Sequence, residues 1–513
     1  MYMSKLTRLS KPLITIISVT LFGAACTVPA NTRTMDTIPS VPSSVVTDQS
    51  STVTTILAST EQSADSLVWS SCDSGSFCAT KQVPYSYEID TGKYFTLSLK
   101  MLRASEETSK GYLLINPGGP GFGGTSMIDY IDYYLSDKLI SNFDIVAWDP
   151  RGTGKSVPAV NCVDSFDPYF ALDMTPNTPA AKKKIVDVSK DFNARCVEKS
   201  GDILQYVSTR NSAQDIDSIR SALGVEQISY FGFSYGSELG ATWATLFPET
   251  VRAAVLDGAS DPTSSVITKS LAQASGFEMQ LNKFLKYCAD RSLCPFNNGL
   301  KPDVALDDLL HVSETKPVIA ERTPITNGVI YVAISNAMYS SKLWDTLAQA
   351  LYDLQIGDGS GILSLYDSYF QYDATLNTYG NELEAFIAIS CLDENGPESV
   401  KLVDSYFADF LKAAPRLGPL FAYGYFCALW PHASQPRTVI TGANAGPIVV
   451  IGTTGDAATP IESSSVMAAS LEEGILLIVE AEQHTGYNVN KCINKAVDAY
   501  LVDLVKPLSG LTC

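Results

Sequence analysis

The sequence predicts an α/β protein with a mostly parallel central sheet that is interrupted by an inserted, mainly helical cap. Three observations carry this reading. Short runs of apolar, β-branched and aromatic residues at 111–116, 143–148 and 228–231 alternate with helical patterns, the signature of parallel βαβ units. Two further runs, 447–451 and 475–479, appear only after a long gap that follows the run at 253–256. Between Asp257 and Gly446 helical spacing dominates, as in 341–354, and the return of strands afterwards favours an insertion over a second tandem domain. The expected organisation is a core over 66–260, a cap over 261–442 and the rest of the core over 443–513.

Ahead of the core the chain has a different texture. Lys5, Arg8 and Lys11 precede an apolar run from Leu13 to Ala25, long enough for a signal-peptide core but shorter than the ~20 residues of a spanning helix. Residues 1–25 therefore read as an export signal. The run ends in Gly23-Ala24-Ala25-Cys26, small residues before a cysteine, which resembles the lipobox of bacterial lipoproteins and predicts lipidation at Cys26. Residues 26–65 are rich in Ser, Thr and Pro and read as a tether, because such a stretch buries too little apolar surface to order itself. The expectation is an extracellular or cell-envelope protein whose membrane contact is a lipid anchor only.

Composition narrows the partners. The 513 residues are 45% apolar and 18% charged, enough for a large core, and 36 basic against 55 acidic residues give a net charge of −19. A surface of that sign repels phosphate backbones, so nucleic acid is not an expected partner. Eleven cysteines show no C-x-x-C spacing, and setting Cys26 aside leaves ten, an even number that favours disulfides over a metal site. The stretch from Asp149 to Ser156 lacks the spacing of a phosphate loop, and no cofactor or metal is expected.

Within the core, Gly232-Phe-Ser234-Tyr-Gly236 follows a predicted strand and precedes the helical stretch 237–247. A serine there sits on a sharp turn above the sheet edge, which makes Ser234 the candidate nucleophile. A hydroxyl needs a base, and of the three histidines only His484 follows the last predicted strand; His311 falls in the cap and His432 in the run 427–432. Asp456, just past the strand 447–451, is the favoured orienting acid, with Asp257 its rival. Asn116-Pro-Gly118-Gly119-Pro-Gly121 follows a strand where an oxyanion loop belongs, so Gly119 or Gly118 supplies one N–H and Tyr235 the other. Ser212-Ala-Gln-Asp215 reads as a capping box that starts a helix ahead of the strand at Ile228.

These motifs, with Asp149-Pro-Arg-Gly-Thr-Gly154, Leu256-Asp-Gly258 and Gly452-Thr-Thr-Gly-Asp456-Ala-Ala-Thr-Pro460, resemble the proline iminopeptidase and tripeptidyl aminopeptidase group of α/β-hydrolase serine peptidases over about Trp69 to Cys513. The runs 344–351, 388–393 and 427–431 and the end from Cys492 to Cys513 are more similar to the secreted tripeptidyl aminopeptidases. The resemblance implies disulfides joining Cys72 to Cys78, Cys162 to Cys196, Cys288 to Cys294, Cys391 to Cys427 and Cys492 to Cys513. It departs from the group's pattern where Thr485 follows His484 and where Ser237-Glu238 follows Gly236.

The resulting expectation is an exported serine aminopeptidase acting on peptides with a free N-terminus. An exopeptidase needs a group that senses the substrate ammonium, and Asp393 and Glu394 are the candidates. Two alternatives use the same chain differently: a carboxylesterase or lipase with the same triad, and a surface-binding lipoprotein that does no chemistry.

Overall fold

The computed structural model describes residues 66–513 apart from 107, 108, 177, 298, 300, 395 and 436, so the expected export signal, tether and lipidated Cys26 lie outside the described residues. Seven strands precede the insertion: β1 (Ser70–Ser71), β2 (Phe77–Pro84), β3 (Tyr94–Leu102), β4 (Tyr112–Asn116), β5 (Asp144–Asp149), β6 (Ile228–Phe233) and β7 (Val251–Asp257). The insertion is mainly helical and carries two short antiparallel ribbons, β8 (Val318–Ile319) with β9 (Pro324–Ile325) and β10 (Tyr372–Asp373) with β11 (Thr378–Tyr379). Then come β12 (Ile448–Thr453), β13 (Gly474–Val479) and β14 (Leu511–Thr512). Asp65–Cys513 forms one compact unit.

Ten of these strands make one sheet in the order β1-β2-β3-β5-β4-β6-β7-β12-β13-β14. From β5 onward every pairing is parallel, whereas β1, β2 and β3 form an antiparallel edge joined to β5. All six residues of β6 and of β12 are buried. That explains their unbroken apolar runs: helices cover both faces, so no strand face needs polar side chains. β7 pairs directly with β12, Ala254 opposite Ile448, so the whole insertion bridges two neighbouring strands.

The helix before β6 spans Thr209–Ala222 and starts earlier than the Ser212 pattern suggests, because the Ser208 hydroxyl accepts the Asn211 N–H and caps it. The run 341–354 splits into a 3₁₀ turn, Ser341–Leu343, and the helix Trp344–Gln355. The insertion has its own apolar core, in which Phe277, Leu281, Ile330, Leu347 and Ile362 pack together with Ala457 and Ala458 from the loop after β12. It is thus packed onto the loop that carries Asp456. All five disulfides implied by the family resemblance are formed. No helix among the described residues is long and apolar enough to cross a membrane.

The stretch after β5 turns out to be a buried brace. Asp149 accepts the N–H groups of Thr125 and Lys155 at 2.8 Å each. Arg151 and Asp215, both fully buried, pair through Nε to Oδ2 at 2.7 Å and Nη2 to Oδ1 at 2.5 Å. Removing one partner of such a pair strands a charge in the interior, at a cost of about 3–5 kcal/mol.

Candidate active site

Every sequence-predicted catalytic residue sits at the C-terminal edge of the parallel strands, where open α/β sheets hold their ligands. Ser234 follows β6 directly and caps the helix Tyr235–Leu246 with φ +54° and ψ −126°, a conformation that non-glycine residues avoid. The glycines on either side make this turn possible. A Cβ on Gly232 would lie 2.2 Å from the Gly236 carbonyl oxygen, and one on Gly236 would lie 2.8 Å from Asn116 Oδ1. The Ser234 N–H donates to the Asp257 carbonyl at 2.8 Å, so β7 anchors the turn.

Asp456 and His484 are brought together by the loops after β12 and β13. His484 Nδ1 lies 2.8 Å from Asp456 Oδ2 and 2.9 Å from Oδ1, and the Asp456 side chain is fully buried. The carboxylate is fixed in turn by the N–H groups of Ala458 at 2.9 Å and Thr459 at 2.8 Å and by the Thr459 hydroxyl at 3.0 Å. Burial alone would pull the imidazole pKa down, but the charge and hydrogen bond of Asp456 outweigh it and raise it above 6.5. His484 Nε2 is buried and has no hydrogen-bond partner among the described residues, so the ring is not bonded to Ser234 Oγ in this state. A catalytic bond of this kind is often long without substrate and tightens on binding.

The rival acid has another task. Asp257 accepts the N–H groups of Gly486 at 2.7 Å and Tyr487 at 2.8 Å, which buckles the loop beyond His484 rather than orienting its ring. Burial is the main cause that lifts its carboxyl to about 6, against those two hydrogen bonds. His311 is 81% exposed on the insertion, and His432 is part-buried with its pKa lowered by burial. Neither is bonded to Asp456.

The glycine loop divides its tasks unevenly. The Gly118 N–H is committed to Asn116 Oδ1 at 3.0 Å, so Gly118 is not a free donor. Its contribution is shape: at φ +97°, a Cβ there would lie 2.4 Å from the Phe233 carbonyl oxygen and 2.9 Å from Ser234 Cβ. Gly119 N–H has no acceptor among the described residues. Tyr235, as the first residue of its helix, has no intrahelical acceptor either. These two N–H groups are available to a developing oxyanion.

The insertion reaches the same edge. His484 N–H donates to the Tyr339 carbonyl at 2.8 Å, Ser341 N–H donates to the Glu482 carbonyl at 3.0 Å, and the Tyr339 ring meets the imidazole edge-on at 5.5 Å. Asp393 and Glu394, the candidates for the substrate ammonium, are both already engaged. Asp393 accepts the Thr209 N–H at 2.8 Å and its hydroxyl at 2.5 Å. Glu394 holds Lys269 Nζ at 2.7 Å, with Arg437 close by at 3.8 Å. Lys269 and Arg437 also pair with Glu238 on the helix Tyr235–Leu246, and they overcome its burial and hold that carboxyl down at about 2. One residue escaped the sequence reading: Glu382, at the start of the helix Glu382–Asp393, has its Oε2 buried with no partner among the described residues.

Residues 111–489 match the model of the alpha/beta hydrolase fold family. The chain is 33% identical over 466 residues to Serine protease Hip1 of Mycobacterium tuberculosis, covering 86% of this chain and 87% of that protein. It is 34% identical over 460 residues to Carboxylesterase B of the same species, covering 85% and 86%, and 28% identical over 455 residues to Tripeptidyl aminopeptidase of Streptomyces lividans, covering 85% and 83%. The chain therefore belongs to the alpha/beta hydrolase fold family, and within it to the serine hydrolases.

Proposed function

We propose that the chain is an exported aminopeptidase that releases short N-terminal peptides or residues through an acyl-enzyme on Ser234. The observation that carries the reading is the His484–Asp456 pair, whose Nε2 is buried and uncommitted at the same sheet edge as a serine held at φ +54°. In this reading Nε2 takes the Ser234 proton as Oγ attacks the carbonyl carbon. The Gly119 and Tyr235 N–H groups receive the oxyanion, and the proton passes to the leaving amine as the C–N bond breaks. Water then repeats the sequence on the ester. Asp456 keeps the proton of the neutral ring on Nδ1 and stabilises the imidazolium. The relatives named as peptidases support peptide substrates, and five disulfides support export, with a lipid on Cys26 as the anchor.

With Asp393 and Glu394 engaged, Glu382 is the carboxylate suited to the substrate ammonium. Its backbone carbonyl packs on Gly121 of the glycine loop, Gly380 leaves room for its carboxyl group, and burial raises its pKa, so a cation at Oε2 would satisfy it. Free and N-acetylated tripeptidyl anilides test this directly. Free substrates should react faster, and Glu382→Gln should raise KM for them about 10-fold or more, the weight of one charge-assisted hydrogen bond. Equal turnover of blocked and free substrates removes amine recognition. A second reading is favoured by the similarity to Carboxylesterase B. Turnover of p-nitrophenyl esters with none of aminoacyl or tripeptidyl anilides would establish it.

A further inference from the structure

Asp393 lies at the end of the helix Glu382–Asp393, two residues beyond Cys391, whose disulfide to Cys427 ties that helix end to the rest of the insertion. Across from it, Thr209 opens the core helix Thr209–Ala222. The carboxylate takes both donors of Thr209, N–H at 2.8 Å and hydroxyl at 2.5 Å. With its proton directed at Asp393, Thr209 Oγ1 can only accept from its remaining neighbour, the Tyr235 hydroxyl. The phenol stays protonated, since burial and the nearby Asp393 charge both raise its pKa well above 10. Three groups thus form one directed chain, Tyr235 to Thr209 to Asp393, in which each bond polarises the next. Its far end is the side chain of the residue whose backbone N–H faces the oxyanion.

We propose that Asp393 is a positioning residue: through Thr209 and the Tyr235 hydroxyl it holds the oxyanion-donating peptide of Tyr235, so the inserted cap supplies part of the catalytic geometry. The proposal rests on the reading of Ser234 as nucleophile. Its chemistry follows from the direction of the chain. Deprotonated Asp393 accepts from Thr209, whereas a neutral acid or an amide presents a donor there and reverses the Thr209 hydroxyl, leaving the Tyr235 O–H without its acceptor. Burial, reinforced by the charges of Glu238 and Glu394, lifts the Asp393 carboxyl to about 7 despite the Thr209 bonds. The other charged groups facing this pocket are Arg437, Arg210 and, paired with both glutamates, Lys269. The chain is therefore set in its working direction above pH 7 and disturbed below it.

The test compares wild type with Asp393→Asn, Tyr235→Phe and the double variant, each assayed for kcat and KM on a free tripeptidyl anilide and for labelling by a fluorophosphonate. Each single variant should lower kcat about 10- to 100-fold, less than loss of an oxyanion donor, with KM nearly unchanged. The double variant should be no worse than the weaker single one, because the two act through one chain. Wild-type kcat should carry two ionisations on its acid side and Asp393→Asn only that of His484. Additive losses, or an unchanged pH profile in Asp393→Asn, overturn the proposal. Should Asp393→Asn fail to fold, Tyr235→Phe and Thr209→Val probe the same chain, and kcat equal to wild type in both overturns it. Failure of wild type to label at Ser234 would instead sink the underlying assignment.

Discussion

Ser234→Ala should remove hydrolysis of both anilide and ester substrates, with kcat reduced about 10⁴-fold or more, and should abolish covalent labelling by a fluorophosphonate. The fold should persist. Alanine keeps the Cβ that makes φ +54° unfavourable and loses only a hydroxyl, so the unfolding free energy should stay within about 0.5 kcal/mol of wild type. Ser234→Gly should be equally inactive yet more stable than Ser234→Ala by about 1 kcal/mol, because glycine adopts this conformation without strain. Activity and stability thus move in opposite directions at a single position. A wild-type chain that labels at another residue, or an alanine variant that retains turnover, would remove Ser234 from the chemistry.

That serine was legible in the sequence because its constraint is local. A Gly-x-Ser-x-Gly turn between a strand and a helix is demanded by contacts within a few residues, such as that of Gly232 with the Gly236 carbonyl. Asp456 and His484 were legible because strand ends can be counted. The antiparallel edge left a weaker trace: Phe95, Leu97, Leu99 and Met101 alternate along β3, but Lys81 and Lys100 are buried in the same edge and blur the pattern. What the sequence could not show is pairing across distance. Asp393 looked free until Thr209, 184 residues earlier, took both of its oxygens, and Glu394 met Lys269 from 125 residues away. Glu382 carried no signal at all, since an acidic residue in the first turn of a helix is ordinary. The sequence could not foresee that this carboxylate keeps a buried, unpartnered oxygen.

Asp456→Asn should lower kcat about 10⁴-fold while leaving substrate binding largely intact, because an amide in place of the carboxylate favours the wrong tautomer of His484. The pH dependence separates this from simple disruption. In the proposed mechanism only the neutral ring accepts the Ser234 proton, and the ring's pKa lies above 6.5, so activity should be full at high pH and fall as pH drops through that raised value. Two opposing influences set it: burial, which lowers it, and neighbouring carboxylates, chiefly the charge and hydrogen bond of Asp456 with a further contribution from the Asp257 charge, which win. Asparagine at 456 removes the Asp456 part of the second and leaves the first. The His484 ionisation in the acid limb of Asp456→Asn should therefore be displaced downward, while that of Asp393 stays, even as the plateau collapses. Stability should follow the same linkage. A ring whose folded pKa is raised contributes stability that is fully present below pH 6.5 and is lost as pH rises through the folded value, and Asp456→Asn should lack that increment. Rate profiles and denaturant midpoints measured across this range give the two readouts independently. If both ionisations of the acid limb stay in place in the variant, Asp456 does not set the protonation of the base, and the orienting acid would have to be sought elsewhere along the same sheet edge.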